Sequence, residues 1–490
     1  MTARLASHII AALLAILMLT VTFTACGGGG SGVTDTAVDI TTAAEIEPEE
    51  TKMKDNLPER DFGGYDFHML IRNADGYVKD MYVEEESGDL IDDAIFQRNL
   101  VVGERFNFEM SVQRSSHNNY ETDAAASIMA GADDYDFVFP HARAAFAYAK
   151  QGLVLDWFKD LPYVNLEQPY WAQDAVENLS IAHKLFTCIG DISYKNLGNT
   201  KCLFFNKPLF ETYGIESPYG TVLDGDWTFE KFGDIGRVGS RDLNGDGKLS
   251  ILDDQYGYVT TWWGGPIQVL FSANLRIAMK DEDDIPYLSI YSERAVEVYE
   301  KFFDLMSDGS SYLHLADAST EITAAFKEGR VFLIETSIGN AVGYRDMEQD
   351  FGIIPWPKFD ETVDKYYSNV DAGCSLIVIP ITASDPERTS IILEALGCEA
   401  YNSVIPVFYD VCLTTKFSRD AESVEMLEIC RENKVFDFGY YTSSVGVFSS
   451  TGYNLSKMPS PDFASYYAAN ETAAKTALAQ FIEQCTGIKT

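Results

Sequence analysis

The sequence predicts an α/β body on a largely parallel sheet, and three observations carry that prediction. Strand-like and helix-like segments alternate from Tyr65 onward. The 490 residues are 46% apolar and 13% aromatic, enough for large cores and against disorder throughout. No internal repeat marks a solenoid or propeller. Length over about 150 suggests roughly three units, which two lobes of about 200 residues satisfy equally well. The chain carries 75 acidic against 37 basic residues, a net charge of −38, which argues against nucleic acid or another polyanion as partner and suits a soluble extracytoplasmic protein.

The N-terminus reads as a leader. Arg4 precedes the apolar run Ile9 to Leu19, too short for a comfortable span but right for a signal h-region, which gives a signal peptide over residues 1–25. Phe23-Thr24-Ala25-Cys26 resembles a bacterial lipobox, with Phe23 in place of the usual aliphatic residue. Cys26 is then the lipid-bearing first residue of the mature chain, and two or three acyl chains, at about 0.8 kcal/mol per buried CH₂, hold it on the membrane. The alternative is an ordinary cleaved signal with an incidental cysteine. The Gly-, Thr- and Glu-rich stretch that follows has too few large apolar residues to repay ordering, so residues 26–57 read as a flexible tether. No later run reaches 18 apolar residues.

In the body, YDFHMLI (Tyr65 to Ile71), FNFEMSVQ (Phe106 to Gln113) and DYDFVFP (Asp134 to Pro140) read as strands, and Asp89 to Val102 has helical spacing. Ligands collect beyond the carboxyl ends of such strands, which makes the loops Arg72 to Gly76 and His141 to Arg143 candidate site walls. A second α/β region starts near Asp191. AAFKEGRVFLIETS joins a helix end to a strand, DFGIIPWPK stops at two prolines, and CSLIVIPI (Cys374 to Ile381) reads as a buried strand. From Asp420 the chain reads mostly as helix, broken by an aromatic, Ser- and Gly-rich loop near Phe436 to Pro461. Beyond Cys26, seven widely spaced cysteines show no CxxC motif and read as buried free thiols.

The most specific motif is DLNGDGKLSILD, Asp242 to Asp253. Asp242, Asn244, Asp246, Ser250 and Asp253 place oxygens at positions 1, 3, 5, 9 and 12 of an EF-hand-type loop, with Gly247 at the turn and Lys248 offering its carbonyl. Such an oxygen cage suits Ca²⁺, and Leu249 at position 8 is expected to pack inward. Asp253 in place of a bidentate Glu points to weak affinity, on the order of 10⁻⁴ to 10⁻³ M. A solvated acidic turn without metal is the alternative. Only the upstream flank looks helical, from Phe229 after the N-cap candidate Thr228, whereas Tyr256 to Thr260 reads as a strand, so one such loop reads as a structural staple.

Five segments in order resemble the extracellular solute-binding lipoproteins of ATP-driven importers, in the branch of maltose- and oligosaccharide-binding proteins. They are DYDFVFPHARAAFAYAKQGLVLDW, KLFTCIGDISYKNLGNTKCLFFNKPLFETYGI, DWTFEKFGDIGR with the calcium-type loop ending in Gln255-Tyr256-Gly257, AAFKEGRVFLIETS and DFGIIPWPK, and they cover nearly the whole mature chain. The resemblance implies two discontinuous lobes joined by crossing strands, at residues 58–190 plus 372–410 and 197–370 plus 411–490. It also implies hinge closure around a solute, a membrane permease as partner, a monomer and no catalysis. Oligosaccharide is the leading solute, with peptide or another polar nutrient as the alternative.

Sugar sites combine aromatic platforms with carboxylates and amides. Trp262-Trp263 follows a strand where relatives place stacking aromatics, and Asp191 lies in the crossover. Trp171, beside Tyr170, and Tyr440-Tyr441 complete the candidates. Two departures stand out: Pro140 and Arg143 occupy positions where sugar binders often carry a Trp and an Asp, and Ser337 to Asn340 follow VFLIE where they tend to supply a Trp. A surface glycoside hydrolase is the competing class, but its paired acids would have to come from adjacent pairs such as Asp92-Asp93 and Asp133-Asp134, a solvated-surface pattern. No GxSxG or HExxH is present either.

Overall fold

Strand β1 (Tyr65–Ile71) buries the whole of its carboxyl-terminal half. It lies between β2 (Phe108–Arg114) and β3 (Phe137–Phe139), parallel to both, with Tyr65 opposite Phe108 and Met69 opposite Phe137. The helix Leu90–Phe106 crosses between β1 and β2. Asp89 caps it by accepting from the backbone N–H groups of Ile91 and Asp92, and left-handed Asn107 ends it. The computed structural model describes residues 52–116, 122–314, 320–344, 346–414 and 421–489. The leader, Cys26 and most of the tether lie outside the described residues.

Cys374 to Ile381 is buried and extended, as expected, but forms no regular ladder. Isolated antiparallel bridges join Ser375 to His141, Ile377 to Cys188, Val378 to Val138 and Pro380 to Val154. Pro140 and Pro380 lack an N–H, which removes donors from both sides of this pairing.

The second region contributes β4 (Lys201–Asn206), β5 (Tyr256–Thr261), the hairpin β6 (Ala278–Lys280) and β7 (Pro286–Leu288), β8 (Ser311–His314), β9 (Val331–Ser337) and β10 (Phe351–Ile354). Its five-stranded sheet has the order β10-β4-β9-β5-β8. The expectation of a largely parallel sheet fails here: β8, β5 and β9 run parallel, but β4 is antiparallel to both β9 and β10. The reason is that β4 enters straight from the crossing segment rather than through a βαβ crossover. The helix Phe229–Gly239 follows Thr228 as expected, although the Thr228 side chain makes no capping bond.

Three segments cross between the two regions side by side. The first runs from Gly190 to Thr200, where Thr200 bridges Val370. The others are β11 (Ser368–Asn369) and β12 (Lys434–Val435), paired in parallel. Gly190 is required here, since a Cβ would lie 2.1 Å from the Tyr170 carbonyl oxygen. The expected C-terminal loop folds into short helices, Phe438–Thr442, Gly446–Ser450 and Thr451–Ser456. The last helix, Phe463–Thr486, packs on the helix Ala142–Lys150 of the first region and on Glu293–Ser307 and β7 of the second.

The stretch Pro386–Cys412 is long and apolar enough to cross a membrane by composition, a character the sequence reading missed. It is two core helices breaking at Ser403, and 67% of its most apolar window is buried. Of the seven described cysteines all are free, six buried and Cys485 partly so.

Candidate ligand cleft

The residues that follow β1 and β3 meet the chain around Gly373 and Cys374, and Lys201 of β4 reaches Asp371 beside them. After β1, Arg72 donates to the Gly373 carbonyl at 2.6 Å, and its guanidinium lies 4.3 Å over the Tyr77 ring. The Tyr77 hydroxyl donates to the same carbonyl at 2.9 Å. After β3, His141 caps the helix Ala142–Lys150, its Nδ1 accepting from the Arg143 N–H at 3.2 Å. Arg143 lies 5.5 Å over the Tyr440 ring and donates to the Ser449 carbonyl at 3.4 Å.

From the second region, Lys201 at the start of β4 pairs with Glu335 of β9 at 3.3 Å and with Asp371 of the crossing at 3.2 Å. The Thr260 hydroxyl of β5 donates to Glu335 at 3.1 Å. Gly264 presses on the same carboxylate so closely that a Cβ would lie 1.6 Å from its Oε2, so only glycine fits. Trp262 and Trp263 come next: Trp263 stacks on Tyr453 with ring centroids 4.0 Å apart, and Trp262 meets the Tyr453 edge at 4.7 Å. The Lys457 ammonium sits 3.6 Å from the Tyr453 centroid and 4.4 Å from that of Trp262.

The charges are tuned by these contacts. Burial would lower the Lys201 ammonium, but Glu335 and Asp371 outweigh it and raise it, so Lys201 stays charged. Asp371, though burial opposes it, is held below its ordinary value by Lys201 and the Gly373 N–H. Burial, reinforced by Arg72 and Arg143, pushes His141 down to about 3, which keeps Nδ1 free to accept. The junction thus offers aromatic faces, fixed cations and carboxylates in one place, the mixture that orients a polar, hydroxyl-rich molecule.

The six sequence candidates do not assemble as a set. Trp262 and Trp263 are partly buried side by side against Tyr453, and Tyr440 is buried beneath Arg143. Tyr441 is fully buried and donates to the Val370 carbonyl. Trp171 is also buried, its indole N–H donating to Glu394 at 2.9 Å. Asp191 pairs with Arg431 at 3.4 Å in a separate cavity. Sequence reasoning marked the Arg72 and His141–Arg143 loops but missed Tyr77, Lys201, Glu335, Asp371, Tyr453 and Lys457. Glu335 was visible as a lone carboxylate inside the buried run VFLIETS, and Asp371 as an acid before glycine at a crossing. Nothing local marks Tyr453 or Lys457.

In the acidic loop Asp242 accepts from the N–H groups of Gly245 and Gly247, and Asn244 and Asp246 accept from those of Asp246 and Lys248. Asp254, next to the expected Asp253, closes the loop by accepting from Leu243 and Ser250. Leu249 is 37% exposed, against expectation, because the loop buries Ile251 instead. The donor set is all oxygen and suits a hard cation, yet among the described residues no group of three or more His, Cys, Asp or Glu side chains is gathered to hold a metal.

The architecture places the chain among proteins with the fold of ABC-importer solute-binding proteins. A Thermotoga lettingae ABC transporter solute-binding protein bound with α-D-tagatose matches over 85% of this chain and 100% of its own, with a TM-score of 0.53 and 15% identity. A Listeria monocytogenes ABC substrate-binding protein in complex with cycloalternan matches over 87% and 100%, at 0.52 and 13%. The maltose/maltodextrin-binding domain of Bdellovibrio bacteriovorus bound to maltotriose matches over 86% and 99%, at 0.52 and 15%. No protein-family model matches the sequence, and no curated protein matches it.

Proposed function

We propose that this chain is an extracytoplasmic solute-binding protein that captures a carbohydrate between its two lobes and delivers it to an ABC importer. The observation that carries the reading is the junction itself: an aromatic wall of Trp262, Trp263 and Tyr453 beside the Lys201, Glu335 and Asp371 network, in a fold whose solved neighbours include sugar complexes. Trp262 and Trp263 supply flat faces to sugar C–H surfaces, and the charged groups with Arg143 supply hydroxyl partners. Hinge motion about the three crossings closes the lobes, and the closed form is what the permease recognises. Cys26 is the lipid anchor that keeps the acidic body at the cell membrane, and the chain acts as a monomer without catalysis.

Calcium is part of the reading as a structural ion of the Asp242 to Asp253 loop, held by Asp242, Asn244, Asp246, Ser250, Asp253 and the Lys248 carbonyl. Chelation is expected to lower the melting midpoint of the whole chain, and Asp246→Asn to abolish that sensitivity; an unchanged midpoint on chelation overturns the metal.

A thermal-shift screen of mono- and oligosaccharides and peptides, with chemical recovery of the bound compound, tests the function. A ligand at 100 times its Kd stabilises by about 2.7 kcal/mol. A saccharide that raises the midpoint and returns intact supports the reading; one that returns cleaved replaces it with a glycoside hydrolase. A response to peptides alone keeps the fold and removes carbohydrate as the solute.

A further inference from the structure

Two turns from opposite regions interlock beside the crossing strand β12, away from the cleft residues and the acidic loop. The first is the tight turn after the helix Gln173–Leu179 of the first region, where Ile181 and Lys184 bridge in antiparallel fashion across Ala182 and His183. The second joins β6 to β7 in the second region. Asp281 closes it, its carbonyl accepting from the Asp284 N–H at 3.1 Å and its carboxylate from the Ile285 N–H at 2.9 Å. Both start from the crossing: Asp174, on the first helix, accepts from the Phe436 N–H just after β12, and Asp437 accepts from the N–H of Ile277, one residue before β6.

The contact between the turns is polar and closely fitted. The Asp284 carbonyl accepts from the Ala182 N–H at 2.8 Å, and its carboxylate accepts from the His183 N–H at 2.9 Å and the Ser180 hydroxyl at 3.0 Å. The Lys280 ammonium pairs with the same carboxylate and donates to the Ser180 hydroxyl at 2.6 Å and to the Glu177 carbonyl, which uses all three of its donors. Both charged side chains are only 14% exposed, so removing either strands the other in a poorly solvated place.

The backbone shows what this contact holds in place. Ala182 has a φ of 51° and His183 of 59°, the two left-handed residues that a type I′ turn requires and that Asn-Gly normally supplies. An alanine there is sterically penalised. Asp284, with a φ of 60°, is left-handed too, so three of the six non-glycine residues with positive φ among the described residues meet at this one contact. Such backbone persists only where its surroundings fix it, and for Ala182 and His183 the fixing groups belong to the other region.

We propose that this interlock is a strap that fixes the angle between the two lobes and is broken when they rotate, so that it sets how much of a solute's binding free energy goes into closure. Its bonds run directly from one region to the other and fail beyond about 3.5 Å, which leaves little room for rotation while they hold. The inference rests on capture by lobe closure, but the strap can be tested with no solute present.

The test uses the whole chain, read by amide hydrogen exchange and small-angle scattering. In the free wild type the Ala182 and His183 amides should be protected. Asp284→Gly suits the left-handed backbone while removing the carboxylate, and Lys280→Met removes the cation. Each should speed exchange of the turn amides at least tenfold and shift the radius of gyration by about 1 Å or more, against roughly 22 Å for a folded body of this length. Ala182→Gly removes strain but no bond, and should keep both the protection and the radius of the wild type. Full protection in both cut variants, or lost protection with an unchanged radius, overturns the strap and leaves solute capture standing. A saccharide that contracts the wild type while both amides stay protected also overturns it. If no saccharide contracts the chain, the capture reading fails and the strap's part in closure falls with it, even where both cut variants loosen the free protein.

Discussion

Two lysines line the junction between the lobes, and their surroundings pull them in opposite directions. Lys201 touches two carboxylates, Glu335 at 3.3 Å and Asp371 at 3.2 Å, and is raised although burial opposes it. Lys434 touches none among the described residues; burial and Arg431 carry it down to about 8. The difference teaches that burial alone does not set the role of a charge. A cation with contact partners is part of the frame that fixes the cleft, whereas one facing a carboxylate only at a distance is a cost to that frame.

The largest expected effect comes from breaking the paired member. Lys201→Met leaves the buried Glu335 and the half-buried Asp371 without their cation and should cost about 3 kcal/mol in denaturant unfolding. A cost below about 1 kcal/mol would mean that the network is solvated and the cleft floor mobile.

The neighbouring His141 gives a pH test of the same frame. Its folded pKa, about 3, lies below the ordinary histidine value of 6.5, so the unfolded chain binds the extra proton and stability falls as pH drops from about 6.5 toward 3. His141→Asn keeps a side-chain acceptor at the helix cap but removes the titration. Between pH 7 and pH 5 the wild type should lose about 2 kcal/mol relative to the variant. Asp80, Asp174 and Asp437, each raised to about 6 by burial, act in the opposite sense, losing stability as pH rises from about 4 to 6, and they cancel in this difference. Parallel wild-type and variant curves would contradict the buried neutral imidazole.

Lys434→Met sharpens the contrast from the other side. Removing an unpaired, partly buried ammonium should stabilise the free protein by about 1–2 kcal/mol, the reverse of Lys201→Met. Because the folded pKa lies below the ordinary lysine value of 10.5, wild-type stability should rise between about pH 8 and 10.5, and the variant should lack that rise. Equal destabilisation by both lysine variants would mean that the two ammonium groups are held alike. The smallest expected effect is that of Trp263→Ala, which removes one half-exposed ring: about 1 kcal/mol in saccharide binding, with little change in melting midpoint.

Much of the fold was legible because its strands announce themselves locally. YDFHMLI is β1 to the residue, and the spacing after Asp89 is the helix Leu90–Phe106 with its cap. What failed depends on tertiary order: the antiparallel entry of β4, and the loss of a ladder at Cys374 to Ile381 where prolines remove donors. The site was less legible still. Trp262 and Trp263 could be marked by type, but their partner Tyr453 is 190 residues away, on a short helix held by Gly452 against Pro266. Trp171, Tyr441 and Asp191 carried the right chemistry in the wrong surroundings, because aromatic and acidic residues near a crossing serve core and hinge as readily as ligand.

Capture of a solute by lobe closure is tested by small-angle scattering from the whole chain, with and without the saccharide that gives the largest thermal shift. Closure of two lobes on a solute should shrink the radius of gyration on saturation, and the contraction should be lost in Trp262→Ala/Trp263→Ala at the same ligand concentration. Saturable binding with an unchanged radius, or contraction that survives loss of both tryptophans, would contradict capture in this cleft.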